Sequence, residues 1–354
     1  MTLSGLQESA FDAEVSGKKV ALYVLTNKNG AEICITNYGG IVVSLMVPDA
    51  KGEMRDVVLG HNSIAEYLNS PEPYLGALIG RYGNRIGKCR FNIDGKTYQV
   101  ASANPDCALH GGKIGYNSVV WDARQTDKST LQLTYLSPDG ESGFPGNLFI
   151  KVEYKLTDKN AMSITYEAFT DKPTVINPTH HSFFNLNGDG CGEITNHIVT
   201  INAKYFTPMD DKSVPTGEIR PVSGTPMDFR KPFEVGARID DNYRQLIYGR
   251  GYDHNYVLTK RYPGEYSFAA KAYSPASGIG MTVETTEPGV QLYTGNWLNG
   301  FEGKQGRKYT ARTAICFETQ HFPDSPNKPH FPSTLLRPGE RYTQKCVYTF
   351  TTGE

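Results

Sequence analysis

The feature that most constrains this 354-residue chain is a periodicity it lacks. No long stretch repeats apolar residues at i, i+3, i+4 and i+7, so neither a helical bundle nor a doubly wound α/β sheet has helices to build from. Short runs of apolar residues recur instead along the whole chain, each ending at Gly, Pro, Asn or Asp. Val20–Leu25 and Ala31–Thr36 flank Asn29-Gly30 and read as a hairpin. In residues 90–100, Phe91 and Ile93 alternate with polar neighbours, Asp94-Gly95 supplies two residues able to hold positive φ, and Tyr98 and Val100 continue the pattern. Further strands are predicted over 132–136, 148–156, 162–169, 198–203, 280–285, 313–317 and 342–350. The 22 Tyr and 16 Phe suit half-buried pleated surfaces, and the 36 Gly and 21 Pro suit many turns. The chain is therefore expected to be all-β. Helix is expected only as single turns at 63–68 and 233–239. The Pro-, Gly- and Ser-rich stretch 207–229 reads as an ordered surface loop within one domain, because similar strands lie on both sides of it.

Charge and motifs narrow the function. Lys plus Arg number 36 and Asp plus Glu 37, a net charge of -1 that argues against nucleic-acid binding. The apolar run Ile41–Val47 is broken by Ser44 and falls far short of the roughly 18 residues a membrane helix needs. The six cysteines form no C-x-x-C pair and read as free thiols, which disfavours zinc ribbons and redox motifs. Residues 1–20 have neither a basic start nor an apolar stretch, so a cytoplasmic protein is expected, or a periplasmic one if a leader was removed. Gly80–Gly87 fits no phosphate-binding loop, Gly140-Glu-Ser-Gly143 is no nucleophile elbow, and no H-E-x-x-H occurs.

What remains is a set of polar side chains between and within strands. His110 stands before Gly111-Gly112, a pair that would let backbone approach a ligand; it reads equally as a turn histidine. His180 and His181 are adjacent, so on a strand at most one can face a given site, and metal binding by both is disfavoured. Asp253 is either a turn former or a site carboxylate. Glu318 ends the apolar run Ala314–Phe317, where a carboxylate should be partly buried and therefore costly unless paired or used. One carboxylate base, one histidine acid and several neutral hydrogen bonders point to an uncharged polyol, for which Asn84, Arg85, Gln291, Asn296 and Trp297 would serve.

These segments resemble those of the aldose 1-epimerase (galactose mutarotase) family. The matches are Asn37-Tyr-Gly-Gly40, Gly83-Asn-Arg-Ile86, Leu109-His-Gly-Gly112, Asn177–Leu186, Gly251-Tyr-Asp-His-Asn255, Glu287–Asn296, Phe317-Glu-Thr-Gln320 and Leu336-Arg-Pro-Gly-Glu340. They run in family order from about residue 20 to 350. The resemblance implies one large antiparallel β-sandwich over residues 1–354, with 1–19 as an N-terminal extension. It also implies a cofactor-free, metal-free isomerase that interconverts the anomers of free aldoses such as galactose and glucose. Glu318 matches the catalytic base, His181 the acid, and His110 the histidine near the ring oxygen, which shares the acid role. Arg85, Asp253 and Gln291 match sugar-binding positions, and Asn84, within a matched motif, is expected to bind substrate beside them. For such chemistry Glu318 should be ionised and His181 protonated near neutrality, each favouring the charge of the other.

Two other readings stand beside this one. A non-catalytic sugar-binding module would bind without exchanging anomers. A hexose-6-phosphate 1-epimerase would want a basic cluster at the cleft rim, of which only Arg85 is visible. Glycosidic cleavage commonly needs two carboxylates, a role for which only Asp253 could join Glu318. The oligomeric state is left open.

Overall fold

In the computed structural model, which describes residues 1–353, the two dipeptide turns sit where the sequence puts them. Leu22–Thr26 pairs antiparallel with Glu32–Thr36 across the Asn29-Gly30 turn. Arg90–Ile93 pairs with Lys96–Gln99, and the two loop residues Asp94 and Gly95 have φ of 50° and 80°. Two successive positive φ angles give the turn whose twist matches that of the flanking strands.

Longer ladders build three main sheets. Nine strands run in the order Asp122–Asp127, Thr130–Ser137, Leu148–Leu156, Ala161–Thr170, Tyr342–Thr352, Ile279–Thr285, Ser267–Tyr273, Ile198–Ile201 and Phe233–Glu234. Five run Arg220–Pro221, Ala203–Thr207, Asp253–Leu258, Gly289–Tyr293 and Cys316–Gln320, and four more link Leu22–Thr26 to Met54–Asp56. Every ladder between these strands is antiparallel. In Leu148–Leu156 the odd-even alternation buries Leu148, Ile150, Val152, Tyr154 and Leu156. They share one core with Leu45 and Val47 of the four-stranded sheet and with Tyr256, Leu292 and Phe317 of the five-stranded one. The molecule is a large antiparallel β-sandwich.

Local departures have local causes. Helix Ile64–Leu68 forms because Ser63 caps it, its side chain accepting from the Glu66 N–H. At 233–239 only Val235–Ala237 makes a 3₁₀ turn, because Phe233–Glu234 is drawn into the nine-stranded sheet beside Ile198 and Val199. Arg244–Gly249 is a further helix too short to show a period. The 207–229 stretch buries Val222, Met227 and Phe229 in the core. Within the N-terminal extension, Leu6 and Phe11 are buried and Ala13–Val15 pairs with Lys18–Val20. All six cysteines are unpaired thiols, only Cys191 being exposed. Among the described residues no helix is long and apolar enough to cross a membrane.

Candidate active site

Strand periodicity divides the five-stranded sheet into an apolar face and a polar one. Tyr256, Leu258, Val290, Leu292 and Phe317 belong to the core. The residues that alternate with them, Asp253, Asn255, Gln291, Tyr293 and Glu318, share the other face. Register brings them together: Asp253 lies opposite Tyr293, and Gln291 stands between Asn255 and Glu318. Glu318 is thus the middle residue of strand Cys316–Gln320 rather than the end of an apolar run.

A second layer comes from the segment following strand Thr179–His180. His180 points into the core, bonding Ser182 Oγ at 2.6 Å and Tyr154 OH at 3.2 Å. His181 turns the other way and sets its Nε2 3.5 Å from Glu318 Oε1, so one of the pair faces the site. Its ring stacks on Phe183, with centroids 4.9 Å apart and planes 20° apart. His110 meets it edge-on at 5.3 Å and packs against Tyr74 at 4.5 Å. The Asn84 N–H donates to His110 Nδ1 at 3.1 Å, which assigns the ring proton to Nε2. The glycines after His110 serve backbone packing: a Cβ on Gly111 would lie 1.9 Å from the Gly80 carbonyl oxygen, and one on Gly112 2.5 Å from that of Ala101. They let two backbone segments touch and so fix the histidine between them.

Seven of the residues singled out in the sequence, Asn84, Arg85, His110, His181, Asp253, Trp297 and Glu318, line one cleft of about 290 Å³. Arg85 reaches toward both neighbours, Nη1 lying 3.4 Å from Asn84 Oδ1 and Nη2 3.9 Å from Asp253 Oδ2. Gln291 sits behind the wall, its Nε2 donating to Asp253 Oδ1 at 2.7 Å. Asn296 ties backbone together: its amide nitrogen donates to the Gly249 and Tyr252 carbonyls, and its oxygen accepts from Thr294. Trp297 stands at the mouth, 48% exposed, with the Arg250 guanidinium 4.1 Å from its ring centroid. Pro73 and Leu109 also line the cleft, as do Glu72, Tyr74, Phe183 and Tyr293, whose place there the sequence reading did not single out. Two signals pointed to them: Pro71 and Pro73 bracket Glu72, and Tyr293 is in phase with Gln291. A larger cavity of about 1520 Å³ contains none of the three residues assigned to catalysis.

Burial controls the protons. Glu318 is 2% exposed and its Oε2 has no partner. Desolvation, then the negative charge of Asp253, holds its carboxyl well above the ordinary range, and Arg85 pulls the other way. Desolvation lowers His181 to about 4 and His110 well below the usual imidazole range. The ionised glutamate and protonated imidazole expected from the sequence are therefore not the forms that burial favours. Both arrangements contain the same single proton, held on the carboxyl in one and on the imidazole in the other. One donor atom from each of His110, His181 and Glu318 lies within 4.8 Å of the other two. That convergence could clasp a cation or a reacting group that needs protons moved at two atoms.

The family model for aldose 1-epimerase matches residues 21–349. Over 318 residues the chain is 42% identical to human galactose mutarotase, spanning 90% of each chain. It is 35% identical over 339 residues to the aldose 1-epimerase of Escherichia coli K12, 94% of this chain and 96% of that one. A solved aldose epimerase homologue from C. elegans matches with a TM-score of 0.87 at 30% identity, over 95% of this chain and 100% of the other.

Proposed function

The chain belongs to the aldose 1-epimerase family, and we propose that it is an aldose mutarotase in which Glu318 and His181 move the two protons of ring opening. The observation that carries this reading is their shared floor: a carboxyl oxygen 3.5 Å from an imidazole nitrogen, with His110 beside them.

Anomer exchange breaks the C1–O5 bond of the ring, allows rotation about C1–C2, and closes the ring on the other face of the aldehyde. In opening, the Glu318 carboxylate takes the O1 proton while the His181 imidazolium gives one to O5. This avoids both a free alkoxide and a free oxocarbenium, and each well-placed group contributes roughly 10² to 10⁴ in rate. In closing, the Glu318 carboxylic acid returns a proton to O1 as neutral His181 accepts one from O5. Burial favours the closing arrangement, and Arg85 brings the ionised carboxylate needed for opening within reach. Neutral His110, with its proton on Nε2, supplies a fixed hydrogen bond to the ring oxygen. Asp253, Arg85 and Asn84 accept from and donate to the sugar hydroxyls. The pair ends each turnover with the proton it began with, so no electron or group carrier enters the balance.

The test is the optical rotation of freshly dissolved α-D-galactose and, separately, α-D-glucose in a weakly catalytic buffer. The protein should hasten the approach to an unchanged final rotation, and His181→Asn should lose most of the acceleration. Measurable sugar binding with no acceleration would overturn the assignment in favour of a binding module.

A further inference from the structure

The mechanism leaves one carboxyl group of the cleft without a task. Glu72 lies on the loop Ser70-Pro-Glu-Pro-Tyr74, and this loop is held rigidly. Prolines at 71 and 73 fix their own φ, and the second also confines Glu72 to extended backbone. Ser70 Oγ donates to the Glu72 carbonyl at 3.0 Å and accepts from its N–H at 3.2 Å. Asn117 Nδ2 donates to the Pro73 carbonyl at 3.1 Å. The Tyr74 N–H donates to Glu72 Oε1 at 3.2 Å, and the Tyr74 ring rests on His110. Among the described residues no protein group bonds the other carboxylate oxygen.

The charge balance of the cleft follows from its lining. Glu72, Asp253 and Glu318 are carboxyl groups, of which burial raises Glu72 to about 7 and Glu318 well above the ordinary range; Arg85 is the single Lys or Arg of the lining, and burial keeps both histidines neutral. Other cations stand beyond the lining: Arg250 over Trp297 at the mouth and, in an adjoining hollow, Lys113 and Lys212, the latter paired with Asp106 at 2.5 Å and beside Asp211. Resting on the mutarotase reading, we infer that Glu72 is a specificity-determining residue, a charge filter that with Asp253 turns away phosphorylated and uronic sugars in favour of neutral aldoses. A rigid loop suits this role, because a fixed carboxylate cannot swing aside from an incoming anion.

Glu72→Gln isolates the charge, since the amide oxygen can still accept from Tyr74. The readout, taken at pH ~8 where Glu72 is ionised, is the ratio of kcat/KM for a neutral aldohexose to that for its 6-phosphate and its uronate, at low salt and at about 1 M salt. The filter predicts that this ratio falls at least tenfold in Glu72→Gln. It also predicts that salt narrows the wild-type ratio, as screening shortens to about 3 Å. A ratio that moves less than threefold on substitution overturns the inference while leaving the mutarotase reading intact. Equilibrium binding of the same three sugars gives the same ratio without turnover. Wild-type protein that binds neutral sugar selectively but never exchanges anomers would refute the mutarotase reading alone.

Discussion

Replacing Glu318 by Gln should remove activity and add stability, and the two effects come from the same burial. A positioned general base is worth 10² to 10⁴ in rate, or about 2.7 to 5.5 kcal/mol at 1.36 kcal/mol per tenfold. Glu318→Gln keeps the side-chain shape, and its amide can donate to His181 Nε2 across the 3.5 Å gap. The loss should therefore appear in kcat rather than in folding. The stability term runs the other way. Burial and Asp253 raise the folded-state carboxyl above its unfolded value. The folded wild type thus loses stability as pH rises above the ordinary glutamate range toward the raised value, and Gln has no such term. Relief of a buried, partly unpartnered charged group amounts to about 1–3 kcal/mol. With an unfolding entropy of about 0.7 kcal/mol/K for a chain of this length, Glu318→Gln should melt about 1–4 °C above wild type at pH ~8. The difference should shrink toward pH ~4. Polarimetry and paired thermal melts at the two pH values check both parts. A variant that keeps more than a tenth of wild-type kcat, or that melts below wild type at pH ~8, would refute the reasoning.

The pH profile of kcat/KM should carry its acid limb near 4, where His181 takes up a second proton and Glu318 can no longer act as a base. Polarimetric rates measured down through that range check it, and a limb at the ordinary imidazole value of about 6.5 would contradict it. Gln291→Leu removes the 2.7 Å bond to Asp253 and should raise KM about tenfold with a smaller change in kcat, since Gln291 positions a binding carboxylate without touching the reacting atoms. Lys304→Met should cost about 3–5 kcal/mol in a denaturant melt. Its Nζ, on a side chain 2% exposed, bonds Asp56 Oδ2 at 2.6 Å and the Val43 and Val58 carbonyls at 2.8 Å, and Asp56 would be left buried and uncompensated.

The strand framework was legible because its determinants are local. The Asp94-Gly95 turn and the alternation of Leu148–Leu156 need only neighbouring residues to declare themselves, and both stand where the sequence puts them. The convergence of Glu318, His181 and His110 was legible through ordered motifs rather than spacing, since 208 positions separate the first from the last of them. Gln291 and Asn296 show the limit. Both are polar residues in one matched segment, yet one steadies Asp253 from behind and the other ties a loop to Gly249 and Tyr252. Which amide meets a ligand depends on register and on neighbouring carbonyls, neither of which composition reveals.

Proton placement lay deeper still. Seen in sequence, a glutamate and a histidine destined to meet suggest an ion pair, because opposite charges attract. In the fold, Phe183 stacks on one face of His181 and the Glu318 carboxyl lies beneath the cleft surface, so both charged forms lose their water. Desolvation of two groups then outweighs one attraction over 3.5 Å, as it often does for buried pairs. That outcome suits the reaction better than a strong ion pair would. A base locked to its acid partner would hold its proton preference in one direction, whereas anomer exchange needs the carboxyl to accept in opening and donate in closing. Asp253 and Glu72 raise the proton affinity of Glu318 and Arg85 lowers it, so the charges around the cleft set how readily one proton passes between carboxyl and imidazole.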